Sequence, residues 1–171
     1  MPDGLDSLTD RLGQTPPFKG YADTKQPLGA YSVLVTAFST ALAAGVTSAY
    51  RRGRLPEDIA GKDIVVMGMA THKLARLLTR DPVTSFARAP FVRLEEKEGS
   101  SIRERPRGSG LQRSIGELVS CPECTGQWVA SGLVIGLVHA PRVTRLLGAL
   151  YASLAIGDML QFVYVGLKSR A

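Results

Sequence analysis

From Leu28 to Tyr50 the chain runs for 23 consecutive residues without a formal charge. A helix needs about 20 predominantly apolar residues to cross the hydrocarbon of a bilayer, whereas a soluble helix of that length shows charge on its outer face. The run predicts a first membrane-spanning helix over 28–50. Along it Ala37, Ala41, Gly45 and Ala49 recur every four residues, leaving one face smooth enough for another helix to approach closely. The run exceeds the roughly 7–15 apolar residues of a cleaved secretory signal, so it reads as a retained anchor. The preceding residues 1–27, with four aspartates and Thr15-Pro16-Pro17, read as a flexible or surface-lying tail.

Two further uncharged stretches follow, Thr125–Ala140 and Leu146–Gly157, the second continuing past a lone Asp158 to Gly166. They predict helices over 117–140 and 142–167, each with small residues four apart (Gly132, Gly136, Ala140; Ala149, Ser153, Gly157). Pro56 precedes another helical pattern over 57–79. Its apolar centre, Ile64 to Ala70, is short, and His72, Lys73 and Arg76 occupy its C-terminal half. Two readings stay open for it: a span with snorkelling ends, or an amphipathic helix on the inner membrane surface. Asp81-Pro82 supplies an N-cap and a first-turn proline for a short helix to about Arg88, and the charged, Gly- and Ser-rich stretch from Glu95 to Gln112 reads as a mobile loop. The expected fold is all-α, an integral membrane helical bundle of three or four helices. Its parts are a tail (1–27), a first span (28–50) and a membrane domain (57–167) with a loop at 80–116.

The net charge of +6 would suggest nucleic acid as the partner of a soluble chain. Here the basic residues flank apolar runs, and neither a recognition helix nor a basic strand interleaved with aromatics is present, which points to the lipid bilayer and excludes nucleic acid. Eight cations lie between Arg80 and Arg113, against Arg142 and Arg145 at the Pro141 turn. By the positive-inside rule the long loop and the C-terminus face the cytoplasm of a multi-pass protein of the bacterial cell membrane. Arg51, Arg52 and Arg54 favour the three-span version, since four spans place them outside. Arg88 and Arg93, beside Phe86 and Phe91, are expected to touch anionic lipid headgroups.

Cys121 and Cys124 form a single CxxC. Pro122 suits the first position of a helix, making Cys121 its N-cap, where free backbone N–H groups and the helix dipole stabilise a thiolate. Such a pair serves redox exchange, contributes half of a zinc site, or packs as small semi-polar residues; all three readings stay open. If the last two helices form a hairpin about Pro141, facing residue numbers sum to about 282, which sets Asp158 level with the cysteines. Metal ligands would then come from Cys121, Cys124, His72 and Asp158, with Glu117 or Asp158 relaying protons in a redox version. His139 lies 18 residues beyond Cys121, about 27 Å along a helix, and cannot join them. Asp158 also suits a plain ion pair with Arg76 or Lys73.

The segment Ala70-Thr71-His72-Lys73-Leu74-Ala75-Arg76-Leu77-Leu78-Thr79-Arg80-Asp81-Pro82-Val83-Thr84 is followed by Arg88-Ala89-Pro90-Phe91, Gly116-Glu117-Leu118 and Cys121-x-x-Cys124-Thr125-Gly126-x-Trp128. Together they resemble the bacterial domain-of-unknown-function family thirteen-sixty over roughly 64–165. That family is similar to a sporulation-associated membrane protein of bacilli, and the resemblance implies a bacterial membrane protein without an activity to carry over. The function expected is that of a small non-catalytic membrane protein, structural or partner-binding, acting as a homo-oligomer or with another membrane protein through a CxxC site at the cytoplasmic face. A membrane thiol oxidoreductase with Cys121 attacking and Cys124 resolving is the alternative. A transporter built on Asp158 is a third reading, disfavoured by the small number of helices.

Overall fold

A computed structural model describes residues 26–99 and 101–169, together with Ser7, Leu8, Arg11 and Thr15. The tail expected over 1–27 therefore lies almost wholly outside the described residues. The chain is predominantly helical: α1 Leu28–Arg51, α2 Gly61–Arg80, a 3-10 turn Pro82–Thr84, α3 Ser85–Arg88, α4 Gly110–Ser120, α5 Pro122–His139 and α6 Pro141–Lys168. Between α3 and α4 stand two antiparallel strands, β1 Val92–Glu98 and β2 Ser101–Pro106. The expectation of an all-α fold with a mobile loop over 95–112 is corrected here. The register pairs Val92 with Pro106 and Glu98 with Ser101, so the strands turn tightly, with Gly99 at a φ of +56° that a side chain would disfavour.

Two compact units divide the chain. The first takes the residues up to Ala41 and Leu78–Thr125; the second takes Leu42–Leu77 and Gly126–Ala171.

In the first unit, Asp81 caps the 3-10 turn as its sequence predicts: its Oδ1 accepts the Val83 N–H at 2.8 Å, and Pro82 fills the first position. The hairpin lays Val92, Ile102 and the Glu104 side chain inward, all buried. Glu95 is an extra residue opposite none, a bulge between Leu94 and Glu96. Arg107 N–H reaches the Phe91 carbonyl at 2.9 Å and continues the ladder past β2. Gly116 of α4 lies so close to this corner that a Cβ there would overlap the Phe91 carbonyl oxygen and stand 3.1 Å from Pro106 Cβ. The helix expected to open at 117 instead begins at Gly110 and breaks at Cys121, because Pro122 has no N–H to continue it.

In the second unit, four helical stretches alternate in direction along the chain. Gly45 of α1 meets Ile135 of α5, and His139 Nε2 stands 3.3 Å from Ser48 Oγ, so these two run the same way. The α5–α6 turn folds them antiparallel, with Gly136 against Thr144. That pair sums to 280, close to the hairpin register expected from the sequence. Helix α2 runs alongside α6 in the same direction: Asp63 pairs with Arg145 at 2.8 Å, Gly148 receives Met67, and Lys73 pairs with Asp158 at 2.6 Å. Met67, Ala70 and Leu133 form the apolar centre, with Val66, Leu74, Val129 and Tyr151 packed around it.

Small residues set these distances. The buried face of α6 is Thr144, Gly148, Ala152 and Ala155, while its leucines, Phe162, Val163 and Val165 point outward and are exposed. Among the described residues, α1 and α6 are the helices long and apolar enough to cross a membrane.

Candidate functional site

The break between α4 and α5 places the cysteines. Cys121 has extended φ and ψ of −105° and 111°, and its carbonyl accepts the Thr125 N–H at 3.0 Å, the first bond of α5. Its sulfur accepts the Cys124 N–H at 3.3 Å. Those are the marks of a helix N-cap, here with a thiol in place of a hydroxyl. Thr125 Oγ1 donates to the Leu118 carbonyl at 2.7 Å and ties the new helix to the old one.

Around this turn the charges are already committed. The Cys121 thiol donates to Glu123 Oε2 at 3.5 Å. Glu123 lies below the usual carboxylate range, held there by its own backbone N–H, then by the Cys121 thiol and the Arg80 charge. Cys124 is pushed up to about 11, first by burial, then by its hydrogen bond with Cys121 and by the negative charge of Glu123. Both cysteines are free.

Glu117, one turn earlier, accepts from Tyr31 Oη and from Arg113 Nε at 3.0 Å. Its two oxygens are each occupied, and the Tyr31 partner, 86 positions away in sequence, was not legible from spacing. Asp158 is paired with Lys73, one of the two partners open to it from sequence. His72 is exposed on α2. Among the described residues, no three His, Cys, Asp or Glu side chains come together to hold a metal ion.

Arg88 stands as a correction. Expected at a lipid headgroup, it is 2% exposed. Its Nε donates to Glu104 Oε2 at 2.6 Å, and its remaining nitrogens bond the Leu78 and Asp81 carbonyls and the Thr84 hydroxyl. A guanidinium with every arm engaged is an internal clamp that ties the end of α2, the 3-10 turn and β2 together. Arg93, by contrast, is exposed on β1, directly opposite Arg105 on β2.

A predominantly helical chain with two helices fit to cross a membrane, a CxxC break and an arginine-clamped hairpin defines the class, and the family follows from comparison. The chain belongs to the family described as protein of unknown function (DUF1360), whose model matches residues 66–164. It is similar to the sporulation protein YjcA of Bacillus subtilis (strain 168), 33% identical over 107 residues that cover 60% of this chain and 91% of the relative. No solved structure matches it. The matched region takes in most of α2, the clamp, the hairpin, the CxxC and most of α6.

Proposed function

We propose that this chain is a four-span membrane protein without catalytic activity, which uses the segment between α2 and α5 to hold a partner at the cytoplasmic face. The observation that carries the reading is the pairing of an outward apolar surface on α6 with α2 and α5 lying along it. A helix in the core of a soluble protein buries its leucines; here Leu146, Leu150, Leu154, Leu160, Phe162 and Val163 are exposed together, far more than a water-facing surface ordinarily tolerates. Helix α2 keeps register with α6 from Asp63–Arg145 to Lys73–Asp158, so if α6 crosses the bilayer, α2 crosses beside it. This supports four spans over the three-span reading that the arginines at 51, 52 and 54 favour.

Hydrophobic runs set the limits of the spans; that of α5 opens at Thr125, which leaves Cys121 and Cys124 at the membrane face. The eight cations between Arg80 and Arg113 put this face, and the C-terminus, in the cytoplasm. The opposite end keeps Arg51, Arg52, Arg54, Lys62, Arg142 and Arg145, of which Arg145 is paired with Asp63 and Arg54 donates to the His139 carbonyl.

Committed charges at the CxxC support a structural cap rather than an enzyme. The name of the Bacillus relative attaches that protein to sporulation; a membrane-bound, partner-holding role suits such a process without requiring turnover. The test is extraction of the expressed chain from isolated membranes. Resistance to alkaline carbonate with release by detergent is expected, and recovery in the soluble fraction without detergent would overturn the reading.

A further inference from the structure

We infer that the outer face of the β1–β2 hairpin is a binding site for the phosphate of an anionic phospholipid, with Arg93 and Arg105 as its paired ligands; this rests on the membrane reading above. In the antiparallel register Arg93 stands directly opposite Arg105. Side chains so placed have Cβ atoms about 4.5–5.5 Å apart, and like charges there destabilise the strands. Both arginines are exposed, and neither has an ion-pair partner among the described residues. Elsewhere on the same face the repulsion is relieved, since Arg103 has Glu96 opposite it at 3.8 Å. The one rung left uncompensated carries two guanidinium forks close enough to grip a single phosphate from two sides.

The platform beneath that rung is rigid. Glu104, the neighbour of Arg105 on β2, points inward to the buried Arg88 clamp, and Val92, the neighbour of Arg93, is buried. The rung is thus fixed in orientation by the residues on either side of it. Arg107 N–H closes the ladder at the Phe91 carbonyl, and its guanidinium donates to the Ala89 carbonyl at 3.3 Å.

The occupant is argued from charge and place. The hairpin belongs to the segment joining the cytoplasmic ends of α2 and α5, within reach of a surface that is itself rich in phosphate. Phe86 and Val83 of the same unit are exposed apolar side chains, a combination with arginine that suits a headgroup layer and not a dissolved anion.

The full chain in a neutral detergent, wild type and Arg93→Gln/Arg105→Gln, would be titrated with short-chain phosphatidylglycerol, short-chain phosphatidylcholine and inorganic phosphate. Wild type is expected to prefer phosphatidylglycerol, and the double variant to bind it about thirtyfold more weakly, from two arginines near a charged surface. Arg103→Gln, which removes an arginine already balanced by Glu96, is expected to change binding less than threefold, and an unchanged elution profile shows that the variants fold. Equal affinity of wild type for both lipids, or tight binding of inorganic phosphate without lipid preference, overturns the headgroup site and leaves the spans standing. A short oligonucleotide bound more tightly than phosphatidylglycerol overturns it in favour of nucleic acid. A chain that stays soluble without detergent overturns the membrane reading itself.

Discussion

At the scale of single residues, burial separates arginines that look alike in sequence. Arg88 and Arg93 both sit beside a phenylalanine and both read as headgroup contacts, yet one is a clamp and the other is exposed. What distinguishes them is Glu104, which reaches Arg88 only because the hairpin folds back, and no local spacing announces that. Removing one partner of a buried ion pair leaves the other charge stranded, at a cost of about 3–5 kcal/mol. Arg88→Gln is expected to lower stability in detergent by that amount in a denaturant titration, and a loss below about 1 kcal/mol would show that the clamp is not closed. The cysteines were more legible: Pro122 after Cys121 gave the N-cap, and the cap is there. Their chemistry was not legible, because it depends on Glu123 and on burial. With Cys124 pushed up to about 11, its thiolate is scarce at pH 8. Site-resolved alkylation there should run at least about tenfold slower than a free thiol of ordinary pKa near 8.5 and should keep rising above pH 9.5; a rate that levels off near pH 8.5 would contradict the environment described for Cys124.

At the scale of elements, the long apolar helices were legible, and the hairpin and α4 were not. Long apolar runs with Pro56, Pro122 and Pro141 at or near their starts mark helices, and α1, α2, α5 and α6 lie on them, whereas the helix expected over 117–140 is broken at Cys121. The strands are written in Arg, Glu and Lys, residues poor in strand preference, with Val92 and Ile102 as the buried apolar side chains among their described residues. They are held from outside, by the Arg88 clamp and by the close approach of α4. Gly116→Ala tests that approach: a methyl would overlap the Phe91 carbonyl oxygen, backbone that cannot swing aside. A loss of about 1–3 kcal/mol is expected, with increased proteolysis between 92 and 106. Gly157→Ala on α6 is the contrast, since nothing lies within 4 Å of the added methyl, and there stability should hold within about 0.5 kcal/mol. Equal effects at both positions would contradict the packing described.

At the scale of the whole molecule, the sequence left the number of spans open because α2 has a short apolar centre and a basic end. The four-span proposal rests on partners on other helices. Asp63 finds Arg145 and Lys73 finds Asp158, so both charged ends of α2 are matched by α6 along its length. Arginines at 51, 52 and 54 argued the other way, but a count of charges does not see that Arg54 is engaged by His139 or that Arg145 has a carboxylate. The most direct test of four spans is therefore the side of the membrane on which the α1–α2 connection lies. A cysteine placed at Pro56 in a chain with Cys121→Ser and Cys124→Ser, probed in intact cells with a membrane-impermeant maleimide, is expected to react, while one placed at Ser109 reacts only after the membrane is opened. Reaction at both positions only after opening would put Pro56 in the cytoplasm, leave α2 on the inner surface, and contradict the account.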